Sequence, residues 1–223
     1  MSVVLQTIAL TKKEFVIEFR DKNPLFSIIV YVFGTAMICY LGLILKTNKI
    51  DGITWNALFW INIFFVSQIA VAKSFFGESK QRDFYYAFIC KPEAIIISKI
   101  IYNFIILICL STISFIVFTA LFNQVIGSIK WFLANLILGS LSLSVGQSFL
   151  AGVASKANNN ATLLAVLSIP VMAPLLLFLT RISNNAIDNV DASVIIQDLF
   201  ALGSINAIII AVSYLLFPYL WRS

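Results

Sequence analysis

The residues best suited to chemistry crowd into one stretch, Ser74 to Lys99, which reads Ser-Phe-Phe-Gly-Glu-Ser-Lys-Gln-Arg-Asp-Phe-Tyr-Tyr-Ala-Phe-Ile-Cys-Lys-Pro-Glu-Ala-Ile-Ile-Ile-Ser-Lys. It is the most charged block of an otherwise apolar sequence and sits between two long hydrophobic runs. Its centre, Ser79 to Ile89, has the pattern of a short amphipathic helix. Phe84, Tyr85, Phe88 and Ile89 share one face at i, i+1, i+4 and i+5, and Lys80, Gln81, Arg82 and Asp83 make a polar first half. Pro92 breaks this helix before the next hydrophobic run. The chemistry on offer is recognition. A charged helix with an aromatic face cannot lie in lipid, so it lies at the membrane surface or docks a soluble partner. The plainer alternative is a solvated loop with an interfacial anchor.

Bond-making chemistry has little to work with elsewhere. The chain has no histidine, and all its carboxylates fall in loops or near the N-terminus. Ion-coupled carriers place such groups inside the bundle, so a proton relay or metal site is disfavoured. No G-x-x-x-x-G-K-[ST] loop occurs, so the chain is not expected to hydrolyse ATP itself. A haem-type His ligand is excluded; Met37, Met172 and the tyrosines read as packing residues. Cys39, Cys90 and Cys109 are scattered, two of them in apolar runs, with Cys90 a free thiol of the charged block. Asn62, Gln68, Asn103, Asn135 and Gln147 fall within hydrophobic runs and read as interhelical hydrogen-bonding groups rather than substrate contacts. The expectation is a non-enzymatic protein with no catalytic residue and no metal or cofactor ligand of its own.

The elements that must position the charged block are membrane helices. Of 223 residues, 61% are hydrophobic and only 11% charged, with mean hydropathy +0.98; a soluble domain carries about twice that charged share. The net charge of +5 comes from basic residues flanking apolar runs, which points to a membrane and away from nucleic acid. The fold class is all-α: a polytopic membrane protein forming a single transmembrane domain over residues 1–223. Residues 1–23 form an interfacial amphipathic helix ended by Asn23-Pro24, with no cleavable signal peptide. Six spans follow: Leu25 to Leu45, Trp55 to Ala72, Ile100 to Phe122, Trp131 to Ala154, Ala161 to Thr180 and Leu199 to Trp221. Trp55 and Trp60 read as anchors near one interface, and Arg181 to Asp198 as a polar connector.

Two further features concern helix shape. Gly139 and Gly146 lie on the fourth span among Ser140, Ser142, Ser144 and Ser148, a small-residue stripe that permits close helix approach. Pro170 and Pro174 sit inside the fifth span at i, i+4, and each removes a backbone donor. The resulting kink is either a static packing feature or a hinge.

An even number of spans puts both termini on one side. With the N-terminus cytoplasmic, Lys12, Lys13, Arg20, Lys22, Lys73, Lys80, Arg82, Lys91, Lys99, Lys156 and Arg222 are inside, and Lys46, Lys49, Lys130 and Arg181 outside. That imbalance sets the orientation. The charged block is then cytoplasmic and the acidic connector external.

Six spans in a chain of this length, a charged surface helix after the second and a paired-proline fifth together resemble the membrane subunit of an ABC-2-type exporter. More narrowly, the chain resembles the haem exporter protein B (CcmB) family, the permease subunit of the cytochrome c maturation system. One matching patch is Phe75-Phe76, Glu78, Gln81, Pro92 and Ile95-Ile96-Ile97-Ser98-Lys99. The other is Leu138-Gly139, Gly146, Ala151, Val153-Ala154, Leu163-Leu164, Ile169-Pro170 and Ala173-Pro174-Leu175-Leu176-Leu177-Phe178. Relatives often carry a Gly after the acidic residues of the surface helix, where this chain has Asp83-Phe84.

The resemblance implies a permease of the bacterial inner membrane that needs a separate cytoplasmic ABC ATPase. The helix at 79–89 would be its coupling helix, with Glu78, Gln81, Arg82, Asp83, Phe84, Tyr85 and Phe88 at the contact. ATP would be bound by the partner, and haem would be the candidate cargo of the complex. Other membrane subunits of cytochrome c maturation and a periplasmic haem chaperone are the further implied partners, in a homo-dimer or hetero-oligomer. An ABC-2 exporter of lipid, drug or polysaccharide is the alternative within the class; a stand-alone carrier or a membrane scaffold is the alternative outside it.

The topology is directly testable. A cysteine introduced at Asn185 is expected to react with an external impermeant reagent, and one at Ser79 only with a permeant one. The opposite pattern overturns the orientation and the coupling helix with it.

Overall fold

The computed structural model describes residues 3–20, 23–44, 50–77, 90–155 and 160–222. Among these, seven helices and no strand are formed: α1 (Val3–Arg20), α2 (Asn23–Ile44), α3 (Gly52–Phe76), α4 (Pro92–Phe122), α5 (Ile129–Ala154), α6 (Asn160–Ile187) and α7 (Ala192–Arg222). The last six are long and apolar enough to cross a membrane, α1 is not.

Several helices start or end outside the expected limits, for local reasons. Asp51 caps α3 by accepting a hydrogen bond from the Thr54 N–H at 3.4 Å, which holds its carboxyl below the usual range and starts the helix at Gly52. Pro92 belongs to the third apolar helix itself, and the surface helix expected at 79–89 lies outside the described residues. Pro92 occupies the first turn of α4, where its missing N–H has no partner to lose, so α4 begins eight residues before the expected Ile100. The expected connector 181–198 is mostly helix. α6 continues to Ile187 and α7 starts at Ala192, because Arg181 pairs with Asp198 at 3.2 Å across the turn and Asn185 donates to the same carboxylate. The α4–α5 loop is pinned to this end: Gly127 and Ser128 N–H donate to the Ile187 and Ala186 carbonyls at 3.1 and 2.9 Å. Any Cβ at Gly127 would stand 2.7 Å from the Ile187 oxygen, so only glycine fits.

α5 is the centre of the bundle, packed against α3, α4, α6 and α7. Its glycines are where neighbouring side chains enter. A Cβ at Gly139 would lie 2.5 Å from the Trp60 ring, one at Gly146 2.3 Å from the Met172 methyl, and one at Gly152 2.7 Å from the Phe217 ring. Pro170 and Pro174 lie within α6 with exposed side chains, on the face turned away from these contacts.

At the end of the bundle carrying the α4–α5 loop, Trp55, Phe59, Phe115, Phe118 and Phe132 form one aromatic cluster. Trp55 stacks on Phe59 at 5.4 Å, and Phe115 and Phe132 meet at 5.0 Å. This corrects the reading of the tryptophans as interfacial anchors. Trp55 and Trp60 are each 1% exposed, and the Trp60 Nε1–H donates to the Ser183 Oγ at 2.8 Å. In a span that packs against several neighbours, an aromatic ring gains more from ring and aliphatic contacts than from a headgroup.

The two glycines differ in what opposes them, and this can be measured. Gly139→Ala drives a methyl into a rigid indole and is expected to cost about 1–3 kcal/mol. Gly146→Ala meets the end of a flexible Met side chain and is expected to cost less than about 1 kcal/mol. Thermal unfolding in detergent should show a clearly larger drop in melting temperature for Gly139→Ala; equal drops would contradict the packing described.

Candidate functional site

The expected contact residues Glu78, Gln81, Arg82, Asp83, Phe84, Tyr85 and Phe88 lie outside the described residues. What is described is both ends of the segment that holds them. α3 closes at Phe76, where the Gly77 N–H donates to the Lys73 carbonyl at 2.9 Å. The chain is described again from Cys90, and Lys91 opens α4. Burial pushes the Cys90 thiol upward against the opposing charge of Lys13, so this cysteine is a poor nucleophile at neutral pH.

Both ends are fastened to α1 by buried charge. Glu14 and Glu18, one helical turn apart on α1, are only 7% and 6% exposed. Lys99 of α4, 7% exposed, pairs with Glu14 at 2.8 Å and also donates to the Ser74 carbonyl of α3. Lys73 of α3 pairs with Glu18. The Tyr102 hydroxyl donates to the second Glu18 oxygen at 2.8 Å, and the Tyr102 ring meets Phe15 edge-on at 5.2 Å. The Lys99 ammonium also stands 5.6 Å over the Phe75 ring. Each charge in the cluster therefore faces an opposite charge, and Glu18 and Lys99 each have a further polar or aromatic neighbour, which is what burial of ionised groups requires.

These contacts fix the direction of α1. The Gln6 side chain accepts the Lys91 N–H at 3.1 Å, Glu14 meets Lys99, and Glu18 meets Tyr102. The pairing advances along both helices together, so α1 runs beside the first three turns of α4 in the same direction. Its outer face is mostly apolar: Val4, Leu5, Ile8, Val16 and Phe19 are exposed, while Thr7, Leu10, Glu14 and Glu18 face inward. α1 therefore turns both carboxylates toward the protein and leaves mostly apolar side chains, with Lys12 and Arg20, exposed.

The amides of the spans behave mostly as hydrogen-bonding groups. Asn62 accepts from Thr35 at 3.0 Å. Asn103 donates to Ser148 at 3.0 Å. Asn135 donates to the Leu179 carbonyl and to Ser183 at 2.9 and 2.7 Å. Gln68 bonds Ser168. Gln147 departs from that expectation: it is fully buried, and neither amide atom has a hydrogen-bond partner among the described residues. An apolar groove of about 570 Å³ opens between α5 and α7, lined among others by Trp131, Leu138, Leu199 and Phe200. It lies toward the α4–α5 loop, far from the charged cluster, and none of its lining residues is charged. Among the described residues no group of three His, Cys, Asp or Glu could hold a metal.

Sequence reasoning missed Glu14, Glu18, Lys73, Lys99 and Tyr102 as a unit. One signal was present: two carboxylates four residues apart on a helix with hydrophobic residues on its other faces. Which lysines meet them depends on helix pairing across 55 and 85 residues of chain, which no local pattern encodes.

The energetics of the cluster give a prediction. Lys99→Ala leaves Glu14 short of its buried partner and is expected to cost about 3 kcal/mol. Glu14→Leu combined with Lys99→Met removes both charges and is expected to cost less than either single change. Melting temperatures of the three variants in detergent test this; an additive double variant would mean that the pair is not coupled.

No curated protein and no solved structure matches the chain. The family model for the CcmB protein matches residues 5–218, a span that takes in nearly all of α1, the segment between α3 and α4, and all six apolar helices. With that match over almost its whole length, the chain belongs to the CcmB family, the multi-pass inner-membrane permeases of haem export in cytochrome c biogenesis.

Proposed function

We propose that this permease is driven by a separate cytoplasmic ABC ATPase and serves haem handling in cytochrome c maturation, with the Glu78–Ile89 segment as the ATPase contact. The observation that carries the reading is the family match across residues 5–218, which includes that segment. The charge pattern supports it as well: the segment carries acidic and basic residues beside Phe84, Tyr85 and Phe88. Buried aromatics are the usual anchors of a protein interface, and charges at its rim set orientation and on-rate.

In this reading both termini are cytoplasmic. ATP is bound and hydrolysed by the partner, and closure of two ATPase subunits displaces the segment. Haem is the cargo of the complex. It is handled without a histidine from this chain, which has none, so its axial ligands come from other membrane subunits or from a periplasmic haem chaperone. Pro170 and Pro174 supply a point at which α6 can bend during the cycle. Two copies of the chain, or one with other membrane subunits, complete the assembly.

The test is Tyr85→Ala combined with Phe88→Ala. Each truncation removes an anchor worth about 2 kcal/mol or more. The variant is expected to reach the membrane at normal levels yet to lose the co-purifying ATPase and its stimulated hydrolysis. Undiminished co-purification and hydrolysis would make the segment a membrane anchor and defeat the reading.

A further inference from the structure

We propose that Glu14 and Glu18 are positioning residues for energy coupling: they bind α1 to the end of α3 and the start of α4, so that these three helix segments move as one body and pass the movement to α2. The inference rests on the reading of the α3–α4 connection as the ATPase contact, and it adds the path by which displacement leaves it.

The geometry has three parts. First, the cluster is bidirectional. Glu18 holds Lys73, on the last turn of α3 before the connection, and Glu14 holds Lys99, on α4 after it. Lys99 closes the ring by donating to the Ser74 carbonyl. Neither end of the connection can shift by more than a hydrogen-bond length without separating buried opposite charges. Second, the attachment extends along α1. Gln6 at Lys91, Glu14 at Lys99 and Glu18 at Tyr102 form a side-by-side seam rather than one pivot. A helix held at three points spread over more than three turns cannot rotate independently. Third, α1 ends at Arg20 and α2 begins at Asn23, so whatever moves α1 acts on α2 through the shortest of links. α2 itself is lightly held by protein, with 17% of its apolar window buried against 61% for α3. Its fixings are the Thr35 hydroxyl on Asn62 and Tyr40 against Phe122 near the far end of α4. A helix on the periphery of the bundle is thus joined to the helix tied to the ends of α3 and α4.

The charges suit this role better than an apolar seam would. An apolar contact between α1 and α4 would slide at low cost where lipid can cover either surface. Separating α1 from α4 would strand the buried Lys99 ammonium without its carboxylate, while Glu14 would keep only Lys13 of its own helix, at 3.1 Å. Specific registry is the best-attested use of buried polar groups.

Two experiments with the full chain and its co-expressed ABC ATPase decide the matter. In the first, Glu14→Leu is combined with Lys99→Met, the compensated pair described above, which removes the α1–α4 ion pair without stranding a buried charge. Membrane level and ATPase co-purification are expected to stay within twofold of wild type, while the yield of haem-stained c-type cytochrome falls at least tenfold. Undiminished yield with normal co-purification would overturn the proposal. In the second, Gln6→Cys and Lys91→Cys are joined by a short bifunctional thiol reagent in a background where Cys39, Cys90 and Cys109 are serine. This keeps the carboxylates and does not depend on the stability of the first variant. Cross-linked protein is expected to stimulate ATP hydrolysis as well as the uncross-linked protein; loss of stimulation that returns when the link is cleaved would show that α1 moves against α4 and would sink the one-body model. Failure of the wild-type chain to co-purify with the ATPase would instead count against the ATPase contact itself.

Discussion

Two carboxylates buried on α1 set the architecture of one end of this bundle. A buried Glu at low dielectric must stay paired or lose its charge. Glu14 and Glu18 are paired, and their partners come from two other helices: Lys99 and Tyr102 from α4, Lys73 from α3. The requirement that these charges meet fixes the direction of α1 and the separation of α3 from α4 where the charged segment leaves the bundle. It also explains why the outer face of α1 is mostly apolar. Thr7, Glu14 and Glu18 are used on the protein, so Val4, Leu5, Ile8, Val16 and Phe19, with Lys12 and Arg20, are left for the surroundings.

The opposite end is organised by shape and by neutral hydrogen bonds. The aromatic cluster around Phe59 fills the space between α3, α4 and α5. Beside it, Asn56 donates to the Thr180 carbonyl and to Asn184 at 2.7 and 2.8 Å. Trp60 and Asn135 both donate to Ser183 at 2.8 and 2.7 Å. Two helices, α3 and α5, thus converge on two neighbouring turns of α6. In a bundle without water, such bonds hold helices together because the unpaired alternative is costly, and each adds modestly. The bonding is incomplete at Gln147 and Asn206, where both amide atoms of a buried side chain lack partners among the described residues. Each carries a desolvation cost of about 1–3 kcal/mol.

The periphery is the least constrained part. α2 and α7 each have only 17% of their apolar window buried, and α6 turns Pro170 and Pro174 outward. A proline ring on the outer face removes backbone hydrogen bonds without disturbing the contacts of Met172 and Leu175 on the inner face, so α6 keeps its packing on α5 where the ladder is weakest. Missing backbone hydrogen bonds and tight packing are thereby separated onto opposite sides of one helix.

The amino-acid sequence by itself determined the class, the number of spans and the protein family. Hydrophobic run length must match a membrane, so the six apolar helices were legible from composition alone. The role of Asn62, Gln68, Asn103 and Asn135 in bonding between helices was legible too, because an amide in lipid has few other options. Helix ends were less so. Pro92 can break a helix or open one, and only the placement of Lys91 and the absence of a partner for its N–H position decided for opening. The faces of α1 could not be assigned from periodicity, which gives an angle but not which side meets the protein. Trp55 and Trp60 could not be assigned to core or interface for the same reason. The charged cluster was the least legible, since its members come from three helices far apart in the chain. Lysines 73 and 99 near helix ends look like ordinary flanking charges until the fold brings two carboxylates against them. Only tertiary structure decided that, because the pairing exists solely in the register between helices that the sequence keeps apart.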